Sequence, residues 1–261
     1  MHRRLILAAG TALVAWLLAT GPAGADGLDR VQKAGVLRVA VPQDFPPFGT
    51  VGPEMEARGY DVDVAGLLAT ALGVRLQLVP VTSANRISYL QTRKVDLVVS
   101  SLGKNPERER VIDFSAPYAP FFSGVFGPAG SAVATAADLA GRTVGVTRGA
   151  IEDLELSRIA PTGVVIKRYE DNAGTISAFL SGQVELIATG NTVAAAILAQ
   201  DPPKKPIVQF LIKNSPCHVG LNQGEPRLLE AVNEAIARAR RDGSLDAIAR
   251  RWLGAALPAD L

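Results

Sequence analysis

ISYLQTRKVDLVVS at residues 87–100 and ISAFLSGQVELIAT at residues 176–189 are the two stretches on which the architecture of this chain turns. Laid in register, Ile, Ser, Val and Leu are identical, while Asp/Glu, Val/Ile and Ser/Thr exchange conservatively. Each opens with a helix-like pattern and closes in a β-branched run, so each reads as a helix feeding a strand. Two halves built alike would explain the echo. The plainer reading is a chance likeness, because βα units share apolar patterning anyway.

Outward from these stretches the rhythm continues. The spacing predicts a strand over 36–41, a helix over 60–72 stopped by Gly73, a strand over 76–81, a helix over 85–92, a strand over 95–100 and a short extended piece over 111–114 before Pro117. It then predicts a strand over 142–146, a helix over 151–159, a strand over 164–169, a helix over 172–181, a strand over 185–189 and a helix over 192–200. After the break at Pro202, Pro203 and Pro206 comes a last strand over 207–211, and helices over 225–241 and 245–253 finish the chain, separated by Gly243. Strands alternating with helices make βαβ units around mainly parallel sheets, an α/β fold. Equivalent strands would end in small polar loops, 100–104 in one half and 189–191 in the other. Open α/β sheets bind ligands outside the carboxyl ends of their strands. Two lobes with those ends facing one another form a clamp.

The first 25 residues differ from the rest. Arg3 and Arg4 precede an apolar run over 5–20, and Ala23, Gly24 and Ala25 supply small residues, the order of a secretory signal peptide cleaved after Ala25. A membrane anchor is the alternative, but the run falls short of the roughly 20 apolar residues that a spanning helix needs. Removing residues 1–25 leaves 236 residues with 25 basic and 25 acidic side chains. Formal neutrality, with no basic stripe, gives no ground for a nucleic-acid partner. Cys217 is the only cysteine, so no intramolecular disulfide is available and core burial must stabilise an exported chain. No cysteine stands at the cleavage point to take a lipid. The product is expected free in the periplasm.

Five further stretches carry a family resemblance: GVLRVAVPQDFPPF (35–48), GYDVDVAGLLATALG (59–73), VDLVVSSLGKNPERERVIDFSAPY (95–118), DLAGRTVGVTRG (138–149) and AVNEAIARARRDGSLDAIARRWLG (231–254). In this order they resemble the periplasmic amino-acid-binding proteins of ABC importers, and the resemblance covers essentially the whole mature chain. It implies a periplasmic-binding-protein-like α/β fold, two Rossmann-like lobes joined by two crossover hinge strands. Residues 26–117 and 217–261 would form lobe I and 118–216 lobe II, with hinges near 118–122 and 211–216. It further implies capture of a small polar carboxylate, an amino acid foremost, by a monomer that delivers it to an inner-membrane ABC permease, without any cofactor or metal.

The resemblance assigns Arg108 to the ligand α-carboxylate, where a guanidinium fork donates to two oxygens at once; the ordinary reading of NPERER is a solvated charge run. Ser101 and Gly103 stand where the family supplies donors to the same carboxylate, with Gly103 replacing the usual Thr or Ser, so one hydroxyl is missing. Lys104 is a candidate compensator. Phe45 matches the position that covers the ligand side chain, Phe48 reads as packing, and Asp44 as a pocket rim. Asn85 and Arg86 open a helix where N-capping is the ordinary role, but some relatives carry a similar TSANR segment near the pocket, which nominates Arg86.

In the second half, Thr147, Arg148 and Gly149 lie between a strand and the helix expected from Ile151, where free N–H groups attract anionic ligand groups. Glu152 is a candidate acceptor for a ligand ammonium, or simply an acid complementing the helix dipole. Many amino-acid binders place an aspartate at the position of Gly190. Its absence leaves Glu152, the Asn191 carbonyl or water to receive an ammonium.

A second class of function stays open. A few members of this fold are dehydratases of prephenate-like acids or lytic enzymes, which need a general acid of raised pKa; Glu152 is the one acid nominated for that role. His218 reads as structural. A sensor or orphan binding protein would have the same site.

Overall fold

The computed structural model describes residues 26–261, so the expected signal peptide lies outside the described residues. The chain runs α1 (Gly27–Ala34), β1 (Val36–Pro42), three short strands β2 (Asp44–Phe45), β3 (Gly49–Val51) and β4 (Ala57–Arg58), then α2 (Tyr60–Ala71), β5 (Arg75–Val81), α3 (Arg86–Gln91), β6 (Leu97–Gly103), α4 (Pro106–Glu109) and β7 (Ile112–Ala119). It continues with β8 (Phe122–Gly127), a 3₁₀ turn at Ala136–Leu139, β9 (Thr143–Thr147), α5 (Ile151–Ile159), β10 (Val165–Tyr169), α6 (Asn172–Leu180), β11 (Leu186–Gly190), α7 (Asn191–Leu198) and β12 (Ile207–Asn214). Last come β13 (Cys217–Asn222), α8 (Pro226–Arg241) and α9 (Ser244–Leu253).

Two five-stranded sheets result, ordered β5-β1-β6-β13-β7 and β10-β9-β11-β8-β12. They correspond strand for strand. β1 lies parallel between β5 and β6, as β9 does between β10 and β11, and in each sheet the other two strands complete an antiparallel edge. The echoed stretches are α3–β6 and α6–β11, the same unit at the middle of each sheet. Every residue of β6 is buried, as a strand covered on both faces requires.

The chain changes sheets twice. β7 ends the first sheet at Ala119 and β8 enters the second at Phe122, while β12 ends at Asn214 and β13 returns to the first at Cys217. Ser215 N–H donates to the Phe121 carbonyl at 2.8 Å and ties the crossovers together. The strand expected last, over 207–211, is therefore followed by another, β13, at the heart of the first sheet. CHVGLN lacks alternation and carries Gly220, whose missing Cβ would meet the Leu102 side chain at 2.7 Å, so close packing hid the strand. β7 also runs on through Pro117, which an edge strand tolerates.

Helix ends follow local chemistry. Asp26 caps α1 by accepting from Leu28 N at 2.9 Å, and also accepts from Arg227 and Leu228 N at 3.1 Å each, stitching α8 to α1. One apolar cluster runs through both lobes, from Leu37, Val39 and Leu97 to Phe179, Ile187 and Val193. At the junction Phe45, Phe48, Phe121, Tyr60 and Tyr118 form a chain of rings with neighbouring centroids 5.7–6.3 Å apart. Such pairs add about 0.5–1.5 kcal/mol each beyond their apolar burial, so the rings help to pack the junction. No helix among the described residues is long and apolar enough to cross a membrane.

Candidate functional site

The carboxyl ends of both sheets meet between the lobes, and there the structure gathers buried charge. β6 ends at Gly103, and Asn105 caps the following turn of helix by accepting from Arg108 N at 2.9 Å. That places the Arg108 side chain in the cleft. Its Nη1 donates to the Gly103 carbonyl at 2.6 Å and its Nη2 crosses to the Gly149 carbonyl on the opposite lobe at 2.9 Å. Only 3% exposed, the guanidinium is pulled down to about 9 by burial and then by the like charge of Arg86. It remains a cation at neutral pH.

Arg86 opens α3 and is equally buried, with Nη1 donating to the Ser100 carbonyl. Burial lowers its pKa, opposed chiefly by Glu152. Glu152 stands in the first turn of α5, 3% exposed. Burial pushes its carboxyl up to about 7 against the attraction of Arg86 and Arg108. Its Oε1 has no hydrogen-bond partner among the described residues, and neither have Nε of Arg86, Nε of Arg108 or Oγ of Ser215. Buried polar atoms are ordinarily paired; of the seven unpaired ones among the described residues these are four, the others being Asn105 Nδ2, Thr192 Oγ1 and Glu225 Oε2.

Phe45, Arg86 and Ser101 line this cavity from one lobe, Ala150, Glu152 and Asn172 from the other, and Phe121 from the crossover. Its free space is about 10 Å³, room for about one water. The cleft is thus closed, and admitting anything larger requires the lobes to part. Contacts that would break are explicit: Arg108 with Gly149, and the Asp44 carboxylate, which accepts from Asn172 N at 2.7 Å and Ala173 N at 3.1 Å at the start of α6. Gly149, at φ +70, lets the lobes approach so closely that a Cβ there would lie 3.2 Å from Ala84 Cα. Three larger cavities lie away from the cleft, of about 460 Å³ beside α7, 530 Å³ beside α8 and 280 Å³ beside α1; among the described residues the first two hold no buried charge, and the third holds the Asp96 carboxylate, already paired with Arg38 at 2.7 Å.

Ser101 has a left-handed backbone, φ +40, a strained state for a non-glycine residue. Asp61 holds it, accepting from Ser101 N at 2.7 Å and from the Tyr118 hydroxyl at 2.6 Å. Burial raises the Asp61 carboxyl to about 7 despite both bonds. Asp61 reads in sequence as one more acid in a helix's first turn, and nothing in the pattern announces that its target is 40 residues away.

Arg108, Arg86, Ser101, Gly103, Phe45, Gly149 and Glu152 therefore converge. Three other candidates do not. Thr147 is buried with its hydroxyl 2.7 Å from that of Thr175; Arg148 is exposed and pairs with Glu170 at 3.0 Å; and Asn191 turns to the outer face, its side-chain carbonyl accepting from Phe122 N at 3.0 Å. Asn191 is thus engaged away from the cleft, and at Gly190 a Cβ would overlap the Phe121 ring. The space of an aspartate at 190 is filled by an aromatic side chain. Lys104 pairs with Glu109 at 2.8 Å near the surface, and His218 packs edge-on to Phe114 with Nδ1 2.8 Å from the Ser115 carbonyl.

The family described as bacterial extracellular solute-binding proteins, family 3, matches over residues 37–255. The L-cystine-binding protein TcyJ of Escherichia coli (strain K12) is 30% identical over 249 residues, 94% of this chain and 92% of that protein. A crystal structure of a solute receptor for L-cysteine of Neisseria gonorrhoeae superposes with a TM-score of 0.81 at 28% identity, covering 88% of this chain and 94% of the other. A cyclohexadienyl dehydratase of Pseudomonas aeruginosa is 40% identical over 91 residues, 35% of this chain and 34% of that enzyme.

Proposed function

Since this chain belongs to the bacterial extracellular solute-binding proteins, family 3, we propose that it is the periplasmic binding component of an ABC importer and captures an amino acid by closure of its two lobes. The observation that carries this reading is the sealed, charged seam: two buried guanidiniums and one buried carboxyl with unpaired atoms, between lobes whose chain crosses twice. Residues 26–117 with 217–261 act as the lobe that offers Arg86, Ser101 and Arg108 to a carboxylate. Residues 118–216 act as the lobe that offers Glu152 to an ammonium. Phe45 and Phe121 cover the apolar part of the ligand. Closure about the two crossovers hides the bound molecule from water, and the closed form, a monomer, is what an inner-membrane permease receives. Export would follow cleavage after Ala25.

A thermal-shift screen tests the proposal, because a ligand that binds only the folded state stabilises it. At a hundredfold excess over Kd the gain is about 2.7 kcal/mol, a rise of about 5–10 °C for a chain of this size. L-Cystine, L-cysteine, L-arginine, L-glutamine and the remaining amino acids are expected to include at least one such compound. A flat screen, with small organic acids alone producing shifts, would reject the amino-acid reading.

One observation supports a second reading. A buried carboxyl raised to about 7 suits a general acid, and the partial likeness to a dehydratase points the same way. Incubation with prephenate and arogenate decides: the binding reading expects both to persist, and their loss, abolished in E152Q, would establish the enzyme.

A further inference from the structure

Beside the cleft, next to Gly103, lies an atom that the family resemblance did not nominate. Ser215 lies on the second crossover, between the end of β12 and the start of β13, and is 2% exposed. Its N–H is fixed by the Phe121 carbonyl at 2.8 Å, so its position is set by the hinge. Its hydroxyl oxygen is buried and has no hydrogen-bond partner among the described residues. A Cβ added at Gly103 would overlap that oxygen and would also lie 3.1 Å from Cγ1 of Ile151 on the opposite lobe. The carbonyl of the same Gly103 holds Arg108 Nη1. A side chain at 103 and the hydroxyl of Ser215 therefore claim one space, beside the carbonyl that holds the guanidinium.

Resting on the reading of this cleft as the ligand site, we propose that the Ser215 hydroxyl is a ligand-binding donor that takes the place of the side chain missing at Gly103, and that it completes the carboxylate site with Arg108. The relocation has a physical reason. Glycine at 103 leaves the shared space to the crossover hydroxyl, which Ser215 brings there from the hinge; in the swap only Ile151, whose Cγ1 lies 3.1 Å from the added Cβ, has to give by a few tenths of an ångström. A buried hydroxyl without a partner is unfavourable, and a carboxylate oxygen arriving beside Arg108 supplies the acceptor. Because Ser215 is carried by the hinge, its bond to the ligand forms together with closure.

The test measures Kd by calorimetry for the wild type, S215A, S215C, R108A and the swap G103S/S215G, using whichever of the twenty L-amino acids or L-cystine binds the wild type most tightly. S215A and S215C are expected to bind at least tenfold more weakly, since cysteine keeps the volume and is a weak donor, with unliganded melting temperatures close to wild type. The swap, which returns the hydroxyl to position 103, is expected to recover at least half of the lost factor on a logarithmic scale. S215A binding within twofold of wild type, S215C binding as wild type does, or a folded swap without recovery would each overturn the role of Ser215, while loss in R108A alone would leave the cleft reading standing. If none of the probes binds the wild type, both fall together.

Discussion

Arg108→Ala is expected to weaken amino-acid binding by about 3–5 kcal/mol, the range for stripping one partner from a buried, hydrogen-bonded ion pair. That is a loss of between about a hundredfold and a few thousandfold in Kd. The same change removes two backbone hydrogen bonds, to the Gly103 and Gly149 carbonyls, and the second of these spans the cleft. Stability of the unliganded fold is expected to move little by comparison. Two carbonyls lose partners, at about 1–3 kcal/mol each if they stay dry, but a cation that burial and a like-charged neighbour have pulled down to about 9 is removed with them. Lysine at 108 keeps the charge without the fork and is expected to restore less than half of the lost binding energy. Small-angle scattering supplies a second readout: without the Arg108–Gly149 contact the unliganded protein shifts toward a wider, open form. An R108A protein with wild-type affinity would remove this guanidinium from the site.

How much of this was legible in the residues depends on the range of the contact involved. The alternation of strand and helix, and the pairing of residues 87–100 with 176–189, are local patterns, and they led to two matching sheets. The exchange of β8 and β13 between sheets is not local: FSGVFG and CHVGLN owe their strand state to neighbours β6, β7, β11 and β12, so neither carries strong alternation of its own. At the cleft, Ser101 near the end of β6 and Arg108 in α4 face the opposite lobe because the backbone path at the strand end carries them there. Thr147 and Arg148 sit at a strand end too, but side chains in a tight turn alternate in direction. Thr147 went to the core, Arg148 to Glu170, and only the turn's backbone at Gly149 faces Arg108. Asp44 bonding to α6 and Asp61 bonding to Ser101 join segments 128 and 40 residues apart, and no spacing rule reaches that far.

Glu152→Gln is expected to separate the roles open to this carboxyl by the sign of a pH dependence. In the folded protein burial raises it from 4.5 to about 7, so between those values the native state holds a proton that the unfolded chain has released. Stability of the unliganded protein therefore falls as pH rises from about 4.5 to about 7 and levels off above. The part due to Glu152 is roughly 3 kcal/mol. Asp61 is raised to about 7 as well and adds a fall of the same sign, but it faces Ser101 and Tyr118 and is present in both proteins. Arg86 and Arg108 keep their charge throughout. The difference between wild type and E152Q thus isolates Glu152: the glutamine variant is expected to gain stability relative to wild type above pH 7 and to show a shallower slope below. Binding should run the other way. An ammonium needs the carboxylate, so wild-type affinity is expected to rise with pH through about 7, by at most tenfold per unit below it, whereas E152Q binds more weakly at pH 8 with a flat profile. A general acid must hold its proton, so an activity resting on Glu152 would decline over the same interval. Affinity that strengthens with pH in the wild type and is level in E152Q assigns the carboxyl to the ligand's ammonium, and a wild-type profile as flat as the variant's withdraws that assignment.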